Sequence, residues 1–356
     1  MLPTYKGAKQ LILEKYGFTS FFEEQKIAAT SSYGRVTAVF RDFYRVITEN
    51  GEFLATLKRG NFYELSPSNL PAVGDFVEVS NEKQILSVLQ RKTIFSRMTK
   101  DSEEQIIAAN FDYALIVMSL NHDFNLNRLE RYLTVAWDSG ATPIIILTKA
   151  DLVDDLSPFT MELETVAYGV PTYYVDNLSH RGFEALEADL KPNSTLVLLG
   201  SSGVGKSSFI NSLAGADLMK TSEIREDDSK GKHTTTHREM HLLANGWIII
   251  DTPGMREFGI GLNQAGLETT FSDVEELSKD CRFHDCSHTS EPGCAVQEAL
   301  SDGTLSLKHY ENWQKLQREM AYHARKNSPA LARQERDRWK TIQKSLRTHL
   351  KTRPKR

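Results

Sequence analysis

Gly200-Ser201-Ser202-Gly203-Val204-Gly205-Lys206-Ser207 fills every position of the pattern G-x-x-x-x-G-K-[ST]. An apolar run, Leu196–Leu199, precedes it, and a helical pattern follows through Ala214, which is the context such a loop requires. Its glycines let successive backbone N–H groups turn inward around phosphate oxygens, while the helix amino terminus adds partial positive charge. Lys206 is then expected to reach the β- and γ-phosphates of a nucleotide, and the Ser207 hydroxyl to ligate Mg²⁺. A second element, Trp247-Ile-Ile-Ile-Asp251-Thr-Pro-Gly254, reads as a buried strand ending in a carboxylate. Asp251 can hold the Mg²⁺ shell there, and the Gly254 N–H can sense a γ-phosphate.

A third element selects the base. Thr148-Lys149-Ala150-Asp151 closes another apolar strand. A carboxylate at Asp151 can accept from guanine N1–H and from the exocyclic amine, which adenine cannot supply, and the Lys149 stem can lie across the base plane. Together these three elements resemble a Ras-like GTPase, but in a different order: the base motif precedes the phosphate loop by roughly 50 residues instead of coming last. Circular permutation accounts for that order, because domain termini often lie close enough to be rejoined.

All three cysteines fall in Cys281-x4-Cys286-x-His288-x5-Cys294, which offers three thiolates and one imidazole. That set suits a closed, tetrahedral, structural Zn²⁺ site with no position left for a catalytic water. His284 is a competing ligand. With this cluster behind the motifs and a strand-rich segment in front, the chain is similar to the ribosome small-subunit-dependent GTPase A family of bacteria, over about residues 30 to 310. The family motif favours His288 as the fourth zinc ligand. Two positions depart from the family: its guanine motif usually begins with Asn where this chain has Thr148, and Val175-Asp-Asn-Leu-Ser-His-Arg-Gly182 lacks the expected Ser-Ser or Ser-Ala pair. Asp176 and Asn177 are the nearest candidates to present a backbone N–H to the guanine carbonyl.

The hydrolytic group needs its own assignment. Met255 follows Gly254, where Ras has the glutamine that orients water, so intrinsic hydrolysis is expected to be slow. Gly231-Lys-His233-Thr-Thr235-Thr lies between the phosphate loop and Asp251, where a first switch belongs. One of its threonines, with Thr235 the choice, would complete the Mg²⁺ shell beside Ser207 and Asp251. His233 is the candidate for positioning water, and the resemblance implies the same; the other reading is a solvated loop histidine. The expected GTP-binding set is therefore Thr148, Lys149, Ala150, Asp151, Gly200, Ser201, Ser202, Gly203, Val204, Gly205, Lys206, Ser207, Ser208, Asp251 and Gly254, with His233 and Lys206 catalytic.

These groups need a scaffold, and the pattern supplies three. From Gly34 to Arg97 six short runs (GRVTAVF, FYRVIT, EFLATLK, DFVEV, ILSVL, TIFSR) are divided by turn residues, which predicts a small closed barrel of OB type. Phe40, Phe43 and Tyr44 there suit either base stacking or a core. From Ile106 to Gly261 apolar strands alternate with helical stretches such as Asn127 to Trp137, predicting a mostly parallel sheet covered on both faces. Beyond Leu262 the pattern is helical around the Cys/His cluster. The expected fold is thus α/β: a circularly permuted Ras-like P-loop GTPase domain at 101–261, behind an N-terminal extension at 1–30 and an OB-like barrel at 31–100. A zinc-binding helical domain at 262–310 and a basic helical tail at 311–356 follow.

The chain carries 356 residues, 25% of them charged, and its net charge of −4 hides an asymmetry. Lys315 to Arg356 hold 14 basic and 3 acidic residues, a local +11 on an acidic body, which points to a polyanionic partner such as RNA. Three cysteines are too few for a disulfide scaffold, and no apolar stretch approaches the roughly 20 residues that cross a bilayer. A cytoplasmic monomer without membrane contact is expected. The resemblance implies a factor acting late in small (30S) subunit maturation, binding GTP, GDP and ribosomal RNA, with a GTPase stimulated by that subunit. Two other classes fit fewer features: an RNA-binding protein with a structural nucleotide, and another P-loop enzyme such as a small-molecule kinase.

Overall fold

The computed structural model describes residues 12–26, 32–62, 66–99, 103–121, 123–219, 238–251, 264–328, 333 and 340. Five strands form the amino-terminal barrel: β1 (Ser32–Val39), β2 (Tyr44–Thr48), β3 (Gly51–Leu57), β4 (Phe76–Val79) and β5 (Gln84–Val88). They run β1-β2-β3-β5-β4, and β4 pairs back onto β1, so the sheet closes; only β3–β5 is parallel. Closure removes the exposed edges that a small antiparallel sheet would otherwise present. Val36, Val46, Ala55, Val77 and Ile85 fill the interior. Of the two readings of the aromatics, Tyr44 belongs to this core, while Phe43 is 48% exposed.

The expected sixth barrel strand lies elsewhere. β6 (Ile94–Met98) pairs antiparallel with β7 (Glu104–Ala109) in a separate hairpin, so the boundary expected near residue 100 falls inside a paired unit. This run alternates like a barrel strand, but its partner is the next segment in sequence, which closes a shorter loop.

The second sheet holds β8 (Tyr113–Ser119), β9 (Thr142–Thr148), β10 (Thr172–Val175), β11 (Thr195–Leu199), β12 (Arg238–Leu242) and β13 (Ile248–Asp251) in the order β10-β9-β8-β11-β13-β12. All pairings are parallel except β12–β13. Cores lie on both faces, which is why β8 and β11 are buried throughout instead of alternating. Among the described residues four helices of this segment pack on it: α1 (Leu126–Asp138), α2 (Ser157–Glu164), α3 (Phe183–Asp189) and α4 (Lys206–Ala214). Asn125 caps α1, accepting from Arg128 N at 3.0 Å, and Gly140 at φ 82° follows its end.

β12 was not legible as a strand in the sequence. Arg-Glu-Met-His-Leu buries only Met240, because β12 bridges two units: it pairs with β13 on one side and with β1 on the other, through Ala38–Glu239 and Val39–Arg238. Barrel and GTPase-like sheet thus form one eleven-stranded sheet. Arg35 pins the same joint from inside. It is 1% exposed, and donates from Nε to Gly74 O (3.1 Å), from Nη1 to Tyr16 O (2.5 Å) and Thr195 Oγ1 (2.9 Å), and from Nη2 to Asn110 O (2.6 Å). Burial pulls its pKa down to about 10, with Asp112 and Asp75 opposing, so the guanidinium stays charged at neutral pH.

The carboxy-terminal part contains α5 (Gln264–Thr270), α6 (Ser272–Lys279), α7 (Ala295–Asp302) and α8 (Leu307–Asn327). α5 lies so close to α1 that a Cβ at Gly266 would stand 2.2 Å from Thr134 O, and the Gly266 N–H donates to Asp138 Oδ1 at 2.6 Å. In the basic tail expected to be helical at 311–356, α8 ends at Asn327, before Ser328-Pro329; beyond Ser328 only Arg333 and Lys340 are among the described residues. Among the described residues no helix is long and apolar enough to cross a membrane.

Candidate nucleotide site and metal centre

The phosphate-type loop sits between β11 and α4. Gly200, Gly203 and Gly205 take φ of 147°, 78° and 91°, a region open to glycine at little cost. Gly200 also has no room for a side chain, since a Cβ would lie 2.2 Å from Val117 O on the neighbouring β8. Lys206 opens α4, and its Nζ donates to Gly200 O at 2.6 Å and to Ser201 O, which lays it along the loop it is expected to serve. Ser207 and Ser208 occupy the first turn of α4, partly exposed, while Val204 is buried and anchors the loop.

The base motif reaches this loop across the sheet. Thr148 is fully buried at the end of β9, and its hydroxyl donates to Val204 O at 2.6 Å. Lys149, in the left-handed region at φ 60°, extends its Nζ to within 3.4 Å of Gly203 O. The following turn, Ala150–Leu152, leaves Asp151 exposed. Asp251 ends β13, which runs parallel to β11 in the register Val197–Ile250, so the two chemistry-bearing strand ends are neighbours. His233, Thr235, Gly254 and Met255 lie outside the described residues.

The loop after β10 separates its two candidates. Asp176 is spent on its own turn: its carboxylate accepts from Leu178 N (2.9 Å), Ser179 N (3.1 Å) and Ser179 Oγ, and its N–H donates to Arg181 O at 3.0 Å. The bonds from Ser179 and Leu178 hold its pKa below the ordinary carboxylate value. Asn177 instead turns to the phosphate loop, with Nδ2 donating to Gly205 O at 3.3 Å. Sequence reasoning also missed Asp123. Burial raises its pKa, against the opposing charges of Arg128, 2.7 Å away, and Lys206. Nothing in the local pattern marked it, because the lysine it faces lies far along the chain.

The four expected metal ligands converge. Cys281 Sγ and Cys294 Sγ are 3.9 Å apart, each is 3.5 Å from His288 Nδ1, and Cys286 joins them with all ligand atoms within 4.8 Å of one another. A tetrahedral Zn²⁺ with bonds near 2.3 Å needs sulfurs about 3.8 Å apart, so the set fits. His284 is exposed and outside the group. Supporting contacts orient the imidazole: Ser278 Oγ lies 3.2 Å from His288 Nε2, and Gln297 Nε2 (2.6 Å) and Tyr310 OH (3.0 Å) donate to His288 O. Burial raises the Cys281 thiol, but the Val296 and Ala295 amides at the α7 amino terminus, together with Cys294 and Cys286, bring it below its ordinary value, whereas burial pushes the Cys286 thiol up to about 11.

A closed five-stranded barrel, a parallel sheet whose base motif enters from upstream of the phosphate loop, and a Cys3His cluster define a circularly permuted P-loop GTPase fold. Comparison with known proteins agrees. A family model described as RsgA GTPase matches residues 88–261. A relative from Listeria innocua, "Small ribosomal subunit biogenesis GTPase RsgA 1", is 99% identical over 346 residues, covering 97% of this chain and 100% of the relative. Among solved structures, YjeQ from Thermotoga maritima aligns with a TM-score of 0.60 at 24% identity, over 82% of this chain and 98% of that one. YloQ, titled a circularly permuted GTPase, aligns at 0.57 and 25%, over 83% and 97%. The chain belongs to the RsgA GTPase family.

Proposed function

We propose that this protein is a GTP-hydrolysing switch that serves small ribosomal subunit biogenesis. One observation supports the nucleotide part: Thr148 and Lys149 of the guanine motif are hydrogen-bonded to Val204 O and Gly203 O of the phosphate loop, as a single site reading both base and phosphates requires. The ribosomal part is supported by the 99% identical relative and its name.

In this reading Lys206 leaves its loop carbonyls for the β- and γ-oxygens, and the loop N–H groups from Gly200 to Ser208 cradle the phosphates. Ser207, Thr235 and Asp251 would hold Mg²⁺, which when bound neutralises charge developing on the phosphoryl oxygens. Asp151 reads guanine N1–H and N2, the Asn177 backbone N–H is the loop donor left for the guanine carbonyl, and Gly254 registers the γ-phosphate. His233 positions the attacking water, the place that Met255 cannot fill. Cys281, Cys286, His288 and Cys294 would hold one structural Zn²⁺ that staples α6 to α7. The barrel and the basic tail contact ribosomal RNA of the 30S subunit, and the protein works as a cytoplasmic monomer.

The test is GTP turnover with and without small subunits, with ATP and large subunits as controls. Stimulation by small subunits alone, with GTP only, is the expected result. Equal turnover of ATP would favour another P-loop enzyme. A Lys206→Ala protein fully active in ribosome binding and growth would favour an RNA-binding protein with a structural nucleotide.

A further inference from the structure

Thr148 stands where the family motif has asparagine, and the amide such a residue would contribute is found across the sheet. Thr148 Oγ1 secures Val204 O at 2.6 Å, but a hydroxyl has a single hydrogen and no second donor to offer. From the neighbouring strand end Asn177 Nδ2 secures the next carbonyl of the same loop, Gly205 O, at 3.3 Å. The fit is close: a Cβ at Gly205 would lie 3.0 Å from Asn177 Nδ2 and 3.7 Å from Thr148 Oγ1. Ser212 on α4 donates to Asn177 O at 3.0 Å and fixes the backbone from the other side.

The carboxamide is not used up by these bonds. Asn177 Oδ1 is buried without a hydrogen-bond partner among the described residues, a costly arrangement that an alanine would avoid. Its Nδ2 has a second hydrogen. Of the neighbouring backbone donors Leu178 N and Ser179 N are on the Asp176 carboxylate and Asp176 N on Arg181 O, so beside the Asn177 backbone N–H the second Nδ2 hydrogen is the further donor on this loop.

We propose that Asn177 is the amide-bearing residue of the guanine pocket, so that Thr148 and Asn177 together replace the single asparagine of the family motif. Thr148 clamps the phosphate loop; Asn177 clamps it one residue further on and offers its remaining N–H to the 6-keto edge of the base. That edge is an acceptor in guanine and a donor in adenine, so the amide adds discrimination independent of Asp151. This rests on the guanine reading above.

The test is nucleotide affinity of the full-length protein for fluorescent GDP, with GTP, ITP, ATP and XTP as competitors. Asn177→Ala should weaken GTP and ITP about equally, by tenfold or more, because inosine keeps the 6-keto group and loses only the amine read by Asp151. Thr148→Asn/Asn177→Ala, with the amide returned to position 148, should recover affinity to within about threefold. A merely structural role would lower thermal stability in Asn177→Ala without that rescue. Unchanged affinity in Asn177→Ala, or a double variant no better than the single, overturns the proposal. Asp151→Asn separates the two readings: a gain of XTP binding keeps guanine recognition whatever Asn177 does, and no gain removes guanine recognition itself.

Discussion

Glu130 on α1 and His309 on α8 form a buried pair, with Nδ1 2.5 Å from Oε1, although 179 residues separate them in sequence. His309 Nε2 is 3.1 Å from Asp273 Oδ1 on α6, and Asn312 donates to the other Glu130 oxygen. One imidazole on α8 thereby ties α1 of the GTPase sheet to α6, the helix that leads into the metal centre. Burial lowers the pKa of His309, but the bonds to Asp273 and Glu130 outweigh it and push it up to about 9.

The sign of the pH dependence follows from that rise. His309 contributes fully below its ordinary 6.5, and its contribution is lost as pH rises through about 9. A pKa raised that far corresponds to roughly 3 kcal/mol of stability. Thermal unfolding between pH 6 and 10 should show the wild type falling toward His309→Gln at the alkaline end; parallel curves would remove the pairing as the cause.

His309→Ala at pH 7 leaves Glu130 buried without its partner, which costs about 3–5 kcal/mol. The loss should appear first as exchange of α6 and α8 amides. A surface-like change below about 1 kcal/mol would mean the pair is solvated in solution.

The metal centre predicts an order of loss. Chelation, or Cys286→Ser, should lower bound zinc below one per chain and expose α6 and α7 to hydrogen exchange while β8 and β11 stay protected. Opening of the parallel sheet first would contradict the structural role.

Arg35→Met keeps most of the side-chain volume and leaves the carbonyls of Tyr16 and Asn110 without this donor, while Gly74 O keeps the Asn110 amide at 3.2 Å. Unmet acceptors cost about 1–3 kcal/mol each, so denaturant unfolding should report a loss of about 2 kcal/mol or more. A neutral outcome would show that water replaces the guanidinium.

For hydrolysis, His233→Ala should retain nucleotide affinity and lose about 100-fold in subunit-stimulated turnover. Unchanged turnover would return His233 to a solvated loop histidine.

Local chemistry was readable along the chain. The loop from Gly200 to Ser207, Thr148 to Asp151 and the four-ligand cluster each need residues a few positions apart, so the pattern names them before any fold is known. Fully buried parallel strands announce themselves as apolar runs for the same reason. The order of those motifs was enough to imply the permutation.

Tertiary structure decided what depends on distant partners. β12 is polar enough to pass as loop, and becomes a strand because β1 and β13 both offer it an edge. The Thr93–Arg97 run left the barrel because β7 was the nearer partner. Asn177, Arg35 and the Glu130–His309 pair owe their roles to atoms 28, 160 and 179 residues away. A hydrogen bond across such a span is fixed by how the elements pack, and one-dimensional spacing holds no trace of it.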